Sequence, residues 1–595
     1  MTRNRFRLDS SSLTAAVALA LIAALANGFW ILLDHSNPSW DQAHYLSTAL
    51  QYRDAFHIGG PLELIRAIYR TDASHGPLFT IALAPALALF GSSNSSGLVV
   101  NLVAAPFLYL AAGQIAYRIF RSGFARLLTI LIVAMMPILV GLFHNVLQDF
   151  LLVTLTTVAL LLLLESDGFR KRWITWAMAL AMALGTLTKV TFPLFVIGPL
   201  IVVLAQIASQ VVTAGREGKR DRLTGSGLDS MLFNLAGAAI IYFVVTLAWY
   251  GPSFSATLDY VRSTTGGPLS VGAGPSNPYT FHAVTSFTLG MVNFNLSWVI
   301  LLLGLAGVAL SRQRLRSLFQ KPIDAEPLWK LAFLVAWALV PYLSVALAHN
   351  QDVRLMAPAF PAVAILTAGA VNAVPKARLR IALASLAVIV LGYQTLTHVT
   401  DVTPGFLPDR ISASVDGYEA LIQLNSEPIN FEKLPGSDYA GPVLDYIERI
   451  AAKEPSAPDQ PKTICLLASH PVINSNTLGF LVAARHDSYG FADVVKPPGT
   501  TNMELEDVLS GCAFALYSRP PRSLAPGPGS RVTLVNEPYA ANHMPKKMFR
   551  LFQGPSRSFP LMSNPPVKGE PEFLSHAGGG RVRVLTRTPQ DQEGR

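Results

Sequence analysis

Gly76 to Gly91 reads GPLFTIALAPALALFG, apolar from end to end but only 16 residues long. A helix needs about 20 residues to cross the hydrocarbon core. Pro85 stands in the middle, where its ring removes a backbone N–H and crowds the preceding turn. The stretch is therefore read as a juxtamembrane or re-entrant helix that does not cross. Whether this piece crosses decides on which side of a membrane every later loop falls.

Outward from it, the composition sets the class. The 595-residue chain is 51% hydrophobic and only 14% charged, with a mean hydropathy of +0.40. That exceeds what the core of a water-soluble protein needs. The net charge of +9 does not read as nucleic-acid binding, because over the first two thirds Arg and Lys fall in short clusters between apolar runs. Such clusters orient membrane proteins. The expected fold class is an α-helical polytopic membrane protein. The first run, Leu13 to Leu33, follows a basic head (Arg3, Arg5, Arg7) and lacks a small-residue cleavage site, so it is expected to stay as a helix.

Long apolar runs lie near 13–33, 97–117, 127–143, 150–164, 173–188, 191–212, 232–250, 290–310, 328–348, 355–373 and 381–397. Basic clusters lie at Arg3/Arg5/Arg7, Arg118/Arg121/Arg126, Arg170/Lys171/Arg172, Arg216/Lys219/Arg220/Arg222, Arg312/Arg314/Arg316/Lys321 and Lys376/Arg378/Arg380. Short loops rich in Lys and Arg stay in the cytoplasm. If Gly76–Gly91 does not cross, all six clusters share the cytoplasmic side with the N-terminus, and about eleven spans remain. The outer side then collects Asp41, His44, Arg53, Asp72 and His75 in the first large loop. It also holds the His144–Asp149 turn, Lys189, a second loop from about Gly251 to Leu289, and His349–Arg354 (HNQDVR).

Each of these residues has a plain reading beside a functional one. Asp41 opens SWDQAHYLSTALQYR, Ser39 to Arg53, where an amphipathic helix is expected. It is either a solvated loop carboxylate or a working base that Trp40 and Tyr45 would bury at the membrane surface. Asp149 interrupts an apolar stretch (VLQDFLLV) and reads as a helix N-cap, a functional group or both. Lys189, in LGTLTKVTFP, either snorkels to the surface or binds an anion. Arg354, before RLMAPAFPAVAIL, has the same two readings, and its fork suits a phosphate. His75 is a loop histidine or a donor to an anion. His44 and His349 read as structural or solvated. No spacing amounts to a metal site by itself, so no cofactor is assigned and a divalent metal is left open.

Together these motifs resemble a known family. WDQAHYLSTALQY, SHGPLFTIALAPALALFG, HNVLQDFLL, the LTK turn and RLMAPAFP are similar, in order and placement, to motifs of the C-type glycosyltransferase superfamily. The nearest pattern is that of the protein O-mannosyltransferase and aminoarabinose (lipid A) transferase group, over roughly residues 10 to 400. Two departures stand out: Gln42 follows Asp41 where the family often has Asp-Glu, and His75-Gly76-Pro77 stands where it has Lys-Pro-Pro or His-Pro-Pro. The first weakens any metal role for a second acid there.

The resemblance implies an enzyme that moves a sugar from a polyprenyl-phosphate donor to a glycan, lipid or protein acceptor at the outer face of the cytoplasmic membrane, with inversion. Asp41 would be the general base and Asp149 would orient the acceptor or Asp41. Lys189 and Arg354, with His75 assisting, would bind the donor phosphate. No Walker-type loop is present, in line with an activated lipid as the energy source. A transporter or lipid flippase is the competing class. Carriers of that kind place ionisable groups near the midplane and show internal repeats, whereas these spans carry almost none and no repeat is evident. A polysaccharide polymerase or ligase would share the outer face and the lipid substrates.

From about His398 the long apolar runs stop. The expected domains are a transmembrane part, 1–398, and a C-terminal extracytoplasmic part, 399–595. Lys462–Ser469 and Gly511–Ser518 read as strands and Tyr439–Lys453 as a helix, so a soluble α/β domain is expected, with an irregular tail after Leu561. Cys465 and Cys512, the only two cysteines, lie in this exported part as a disulfide or as two buried thiols.

Overall fold

A computed structural model describes residues 10–216, 227–265, 275, 277–320 and 325–400, and beyond these the segments 410–415, 418–423, 440–451, 462–466, 474–485, 489–493, 514–519, 557–560 and 581–586. Up to residue 400 the described chain is mostly helix. The first nine helices are α1 Ser10–Leu33, α2 Trp40–Thr71, α3 Leu78–Phe90, α4 Asn94–Phe120, α5 Gly123–Met135, α6 Pro137–Phe143, α7 Gln148–Glu165, α8 Arg172–Thr188 and α9 Pro193–Arg216. Helices follow at Gly227–Tyr250, Phe254–Thr265, Phe281–Gly290, Trp298–Gln320, Ala325–Ala346, Phe360–Asn372 and Ala377–Thr400. A π-helical turn occupies Met291–Leu296 and a 3-10 segment Val353–Ala359.

The chain divides into two compact units. One comprises Met1–Leu33, Gly59–Leu83 and Gly97–Pro435, the other Asp34–Ile58, Ala84–Ser96 and Gly436–Arg595.

Among the described residues eight helices are long and apolar enough to cross a membrane, or up to ten if each of two bent pairs counts as one span. The protein is a multi-pass membrane protein. Leu25, Phe29 and Leu32 of α1 and Ile240, Phe243 and Val244 of Gly227–Tyr250 point away from the protein interior, as side chains that face lipid do. α3 has 13 residues, about 20 Å of helix, and is too short to cross alone. α8 has 17, about 25 Å, at the lower limit for a span.

Two runs that the sequence shows as unbroken are split. The 127–143 run becomes α5 and α6, bent by 59° at the break. Pro137 lacks the N–H that would continue α5, and it pushes Met136 into extended backbone (ψ 124°). The 290–310 run breaks at Ser297, whose φ is 66°, and the two flanking segments are bent by 97°. The Trp298 Nε1–H donates to Asn293 Oδ1 across this break at 2.8 Å. The helix expected after Asp41 forms as α2, with Tyr45, Leu46, Ala49 and Leu50 on its buried stripe. It runs on to Thr71 through a kink where Gly60 takes φ 66° before Pro61, a conformation open to glycine and strained for other residues.

Several basic residues of the first unit lie near helix ends. Arg118, near the C-terminus of α4, pairs with Glu165 at the C-terminus of α7. Arg126 of α5 is buried, donates to Ser12 Oγ of α1 (3.0 Å) and Gln114 Oε1 of α4 (3.2 Å), and lies over the Tyr117 ring. Arg172 opens α8 and packs on Trp176, while Arg380 packs on Phe124. β1 Arg410–Val415 and β2 Tyr418–Gln423 form an antiparallel hairpin in the same unit.

The second unit holds a five-stranded sheet in the order β4-β3-β5-β7-β6: β3 Lys462–Leu466, β4 Tyr489–Asp493, β5 Phe514–Arg519, β6 Arg557–Pro560 and β7 Arg581–Thr586. β3 runs parallel to β4 and β5, and β7 antiparallel to β5 and β6. The expected strands at 462–469 and 511–518 appear as β3 and β5, and the expected helix as Gly441–Ala451, which buries Val443, Leu444 and Ile447. β7 falls inside the tail that the sequence reads as irregular. The pairing of Cys465 with Cys512 lies outside the described residues.

Candidate functional site

Asp149 lies in the first turn of α7, one residue past the start. The N-cap is Leu147, which offers no side-chain cap. The N-cap alternative for Asp149 is therefore not realised, although its charge still faces the helix N-terminus, where a carboxylate is favoured. The turn ahead of it is shaped by Asn101, an amide within an apolar stretch of α4. Its Nδ2 donates to the carbonyls of Leu142 (3.3 Å), Phe143 (3.0 Å) and Asn145 (2.9 Å). These groups lie at and beyond the end of α6, where Leu142 and Asn145 also accept from the backbone N–H groups of Asn145 and Leu147. His144 in this turn is buried and stacks on Trp30 with ring centroids 3.9 Å apart.

Lys189 ends α8 as its C-cap, in extended conformation, where a cation complements the helix C-terminus. Its Nζ donates to Asp149 Oδ1 at 2.8 Å, and the Asp149 side chain is only 3% exposed. The lysine does not snorkel to solvent; it completes a buried ion pair.

Arg354 sits at the start of the 3-10 segment, which packs against α7 and brings its charge to bear on Asp149. The Arg354 backbone N–H donates to Asp352 Oδ1 at 2.9 Å, and its Nε lies 2.7 Å from Asp352 Oδ2. Two distant groups hold the segment: Asn295 Nδ2 donates to the Val353 carbonyl (2.8 Å), and the buried Trp337 Nε1–H donates to the Pro358 carbonyl (2.9 Å). Arg354 was legible as a candidate, whereas Asp352, Asn295 and Trp337 as its supports were not.

His75 closes a tight turn organised by Asp72. Asp72 Oδ1 accepts from the Ser74 N–H (3.0 Å), the Ser74 hydroxyl (2.6 Å) and the His75 N–H (3.3 Å), while Oδ2 lies 2.8 Å from His75 Nδ1. Because the carboxylate accepts, Nδ1 carries the hydrogen, which leaves Nε2 as the second functional atom. Tyr260, in Phe254–Thr265, lies on the imidazole at 4.4 Å between ring centroids; nothing in the sequence of that loop marks it. The turn presses against the end of α8, and a Cβ at Gly76 would stand 2.1 Å from the Leu187 carbonyl oxygen. Only glycine fits there, two residues ahead of the LTK lysine. Tyr250 anchors the same end of α8 by donating to the Thr186 carbonyl at 2.6 Å. If this unit takes a metal, Asp72 and His75 are its natural ligands, and they occupy each other by hydrogen bonding.

The first unit thus brings together Asp149, Lys189 and Arg354, and places His75 on a turn against the end of α8. Asp41 belongs to the second unit. It is exposed, and Trp40 beside it is 39% exposed, so the burial expected from Trp40 and Tyr45 is not found. His349 is exposed, as expected of a solvated residue. α7 carries Asp149 at one end and Glu165 at the other, 16 residues on, or about 24 Å. The Asp149 group and the Arg118–Glu165 pair therefore occupy opposite ends of the bundle. In chemical terms the site is a pair of half-buried cations, each held by a carboxylate, at one end of a helical membrane domain. An anion arriving there can draw on both.

No model of a known protein family matches the sequence, and no curated protein matches it. Among solved structures the chain is similar to ArnT from Cupriavidus metallidurans in the apo state, at 13% identity and a TM-score of 0.49, over 86% of this chain and 94% of that one. It is also similar to ArnT from the same organism bound to undecaprenyl phosphate, at 13% identity and a TM-score of 0.40, over 67% of each chain.

Proposed function

We propose that the protein is a glycosyltransferase that moves a hexosyl or pentosyl group from a polyprenyl-phosphate donor to a hydroxyl or similar acceptor, with inversion, at the outer face of the cytoplasmic membrane. The N-terminus faces the cytoplasm, about eleven helices cross, and residues 399–595 form a soluble extracytoplasmic α/β domain. The observation that carries this proposal is the gathering of Asp149, Lys189 and Arg354 at the end of the bundle remote from the Arg118–Glu165 pair. A lipid-borne phosphate stays at the membrane surface, so its binding group belongs at the rim of the bundle, and two cations there meet the charge of a phosphate leaving group.

Lys189 and Arg354 stabilise that group, with His75 assisting. Asp149 holds the Lys189 ammonium in place until the donor enters and then shares it with the phosphate. Asp41, as general base, takes the proton of the acceptor hydroxyl while its oxygen attacks the anomeric carbon. The bond to the phosphate oxygen breaks, and polyprenyl phosphate leaves.

Membranes that contain the protein are incubated with radiolabelled polyprenyl-phosphate sugars, and the release of polyprenyl phosphate is followed. Wild type is expected to consume one such donor, and Asp41→Asn to slow this by about 10² to 10⁴-fold. Consumption of none of them, or equal rates in the two proteins, would refute the assignment.

A further inference from the structure

The segment that leads into Asp41 is an unusual loop. Residues 34 and 36–39 are buried, although a loop must find partners for its backbone groups. In the second unit it finds them far away in sequence. Asn37 Oδ1 accepts from the Ala440 N–H at 3.0 Å and so helps satisfy the start of the Gly441–Ala451 helix from about 400 residues upstream. The Pro38 carbonyl accepts from the Thr477 hydroxyl at 2.9 Å, and the Trp40 carbonyl from Asn476 Nδ2 at 3.3 Å. Thr477 is itself placed by Asn474, whose Oδ1 caps the helix Ser475–Arg485 at the Thr477 N–H (2.9 Å). The other end of the loop is held through Asp34, which accepts from Asn94 Nδ2 (3.2 Å) on its carboxylate and from Ser95 Oγ (2.6 Å) on its carbonyl. Arg485, paired with Asp445 at 2.7 Å, ties the two C-terminal helices together.

Trp40, immediately before Asp41, has φ 31°. A bulky residue in left-handed backbone is strained and persists only where its surroundings dictate it. The strain sits one residue from the exposed carboxylate, at the carbonyl that Asn476 holds.

We infer that the helices Gly441–Ala451 and Ser475–Arg485 form a seat that fixes the conformation of residues 34–41, with Thr477 and Asn37 as positioning residues for Asp41. The consequence for transfer rests on the glycosyltransferase reading; the seat itself does not. The C-terminal part then serves the reaction by holding the loop that carries the base.

The test uses the full-length protein in membranes, with Cys465→Ser and Cys512→Ser removing the native thiols and Ser36→Cys placing a reporter thiol in the buried loop. Thr477→Val, which removes the hydroxyl and keeps the shape, is expected to speed maleimide labelling at position 36. It is also expected to lower kcat for donor consumption by about 10- to 100-fold, with the donor KM unchanged within about twofold. Thr477→Ser, which keeps the hydroxyl, is expected to restore both. Thr477→Val with an unchanged labelling rate overturns the seat, and faster labelling with an unchanged kcat overturns the positioning role. A fall that Thr477→Ser does not restore also overturns that role, because it marks general damage. If wild type consumes no donor, the glycosyltransferase reading fails, and the labelling rates alone decide the seat.

Discussion

At Lys189 a cation is carried to the end of an apolar helix and left only 16% exposed, where it would be costly alone; Asp149, 40 residues upstream, makes it tolerable. Each of the two is expensive without its partner and inexpensive with it. Lys189→Met is therefore expected to destabilise the protein by about 3 to 5 kcal/mol, because it strands a buried carboxylate. The double variant Asp149→Leu/Lys189→Met should recover most of that loss. Thermal unfolding of the detergent-solubilised protein measures both. Additive losses in the double variant would mean that the pair is not coupled.

At the scale of the element, polar residues that look out of place in apolar helices decide how the helices end. Asn101 interrupts LVVNLVAAPF in α4, and its amide serves three carbonyls of the turn that delivers Asp149. Asn101→Leu keeps the volume and removes the donor. It is expected to cost about 1 to 3 kcal/mol, since the carbonyls of the turn lose a shared side-chain donor. It should also expose the 142–147 turn to faster amide exchange while α9 keeps its protection, and exchange measured across both segments separates a local effect from a general one. Asn295 and Trp337 play the same part for the 3-10 segment that carries Arg354. None of these three groups reads as functional by residue type, although a lone amide in an apolar run is a signal that sequence inspection can use.

At the scale of the whole molecule, the proposed topology follows from charge and from the shortness of α3. Exposed positions test it. His349→Cys is expected to react with a membrane-impermeant maleimide in intact cells, and Arg170→Cys only after the membrane is opened. The reverse pattern would invert the proposed orientation and with it the outer-face site. Much of this architecture was open to reading in advance. Long apolar runs announce spans because a backbone in lipid must satisfy itself, and the six basic clusters punctuate them at the expected intervals. The chemistry-bearing residues were legible as types at loop positions, but their partners were not. That Lys189 meets Asp149, or that Arg354 is held by Asp352 while it faces α7, depends on which helices become neighbours.

By itself the sequence determined the membrane class, most of the helices, the shortness of α3 and two strands and one helix of the C-terminal part. These follow from local composition, from the length needed to cross a bilayer and from the periodicity of apolar side chains. Only the tertiary structure decided that two apolar runs are broken, that Asp149 is a buried ion-pair partner rather than an N-cap, and that Asp41 is exposed. It also decided that the loop before Asp41 is seated on helices some 400 residues downstream. Such contacts are made between backbone and side-chain groups far apart in the chain, and no local pattern records them.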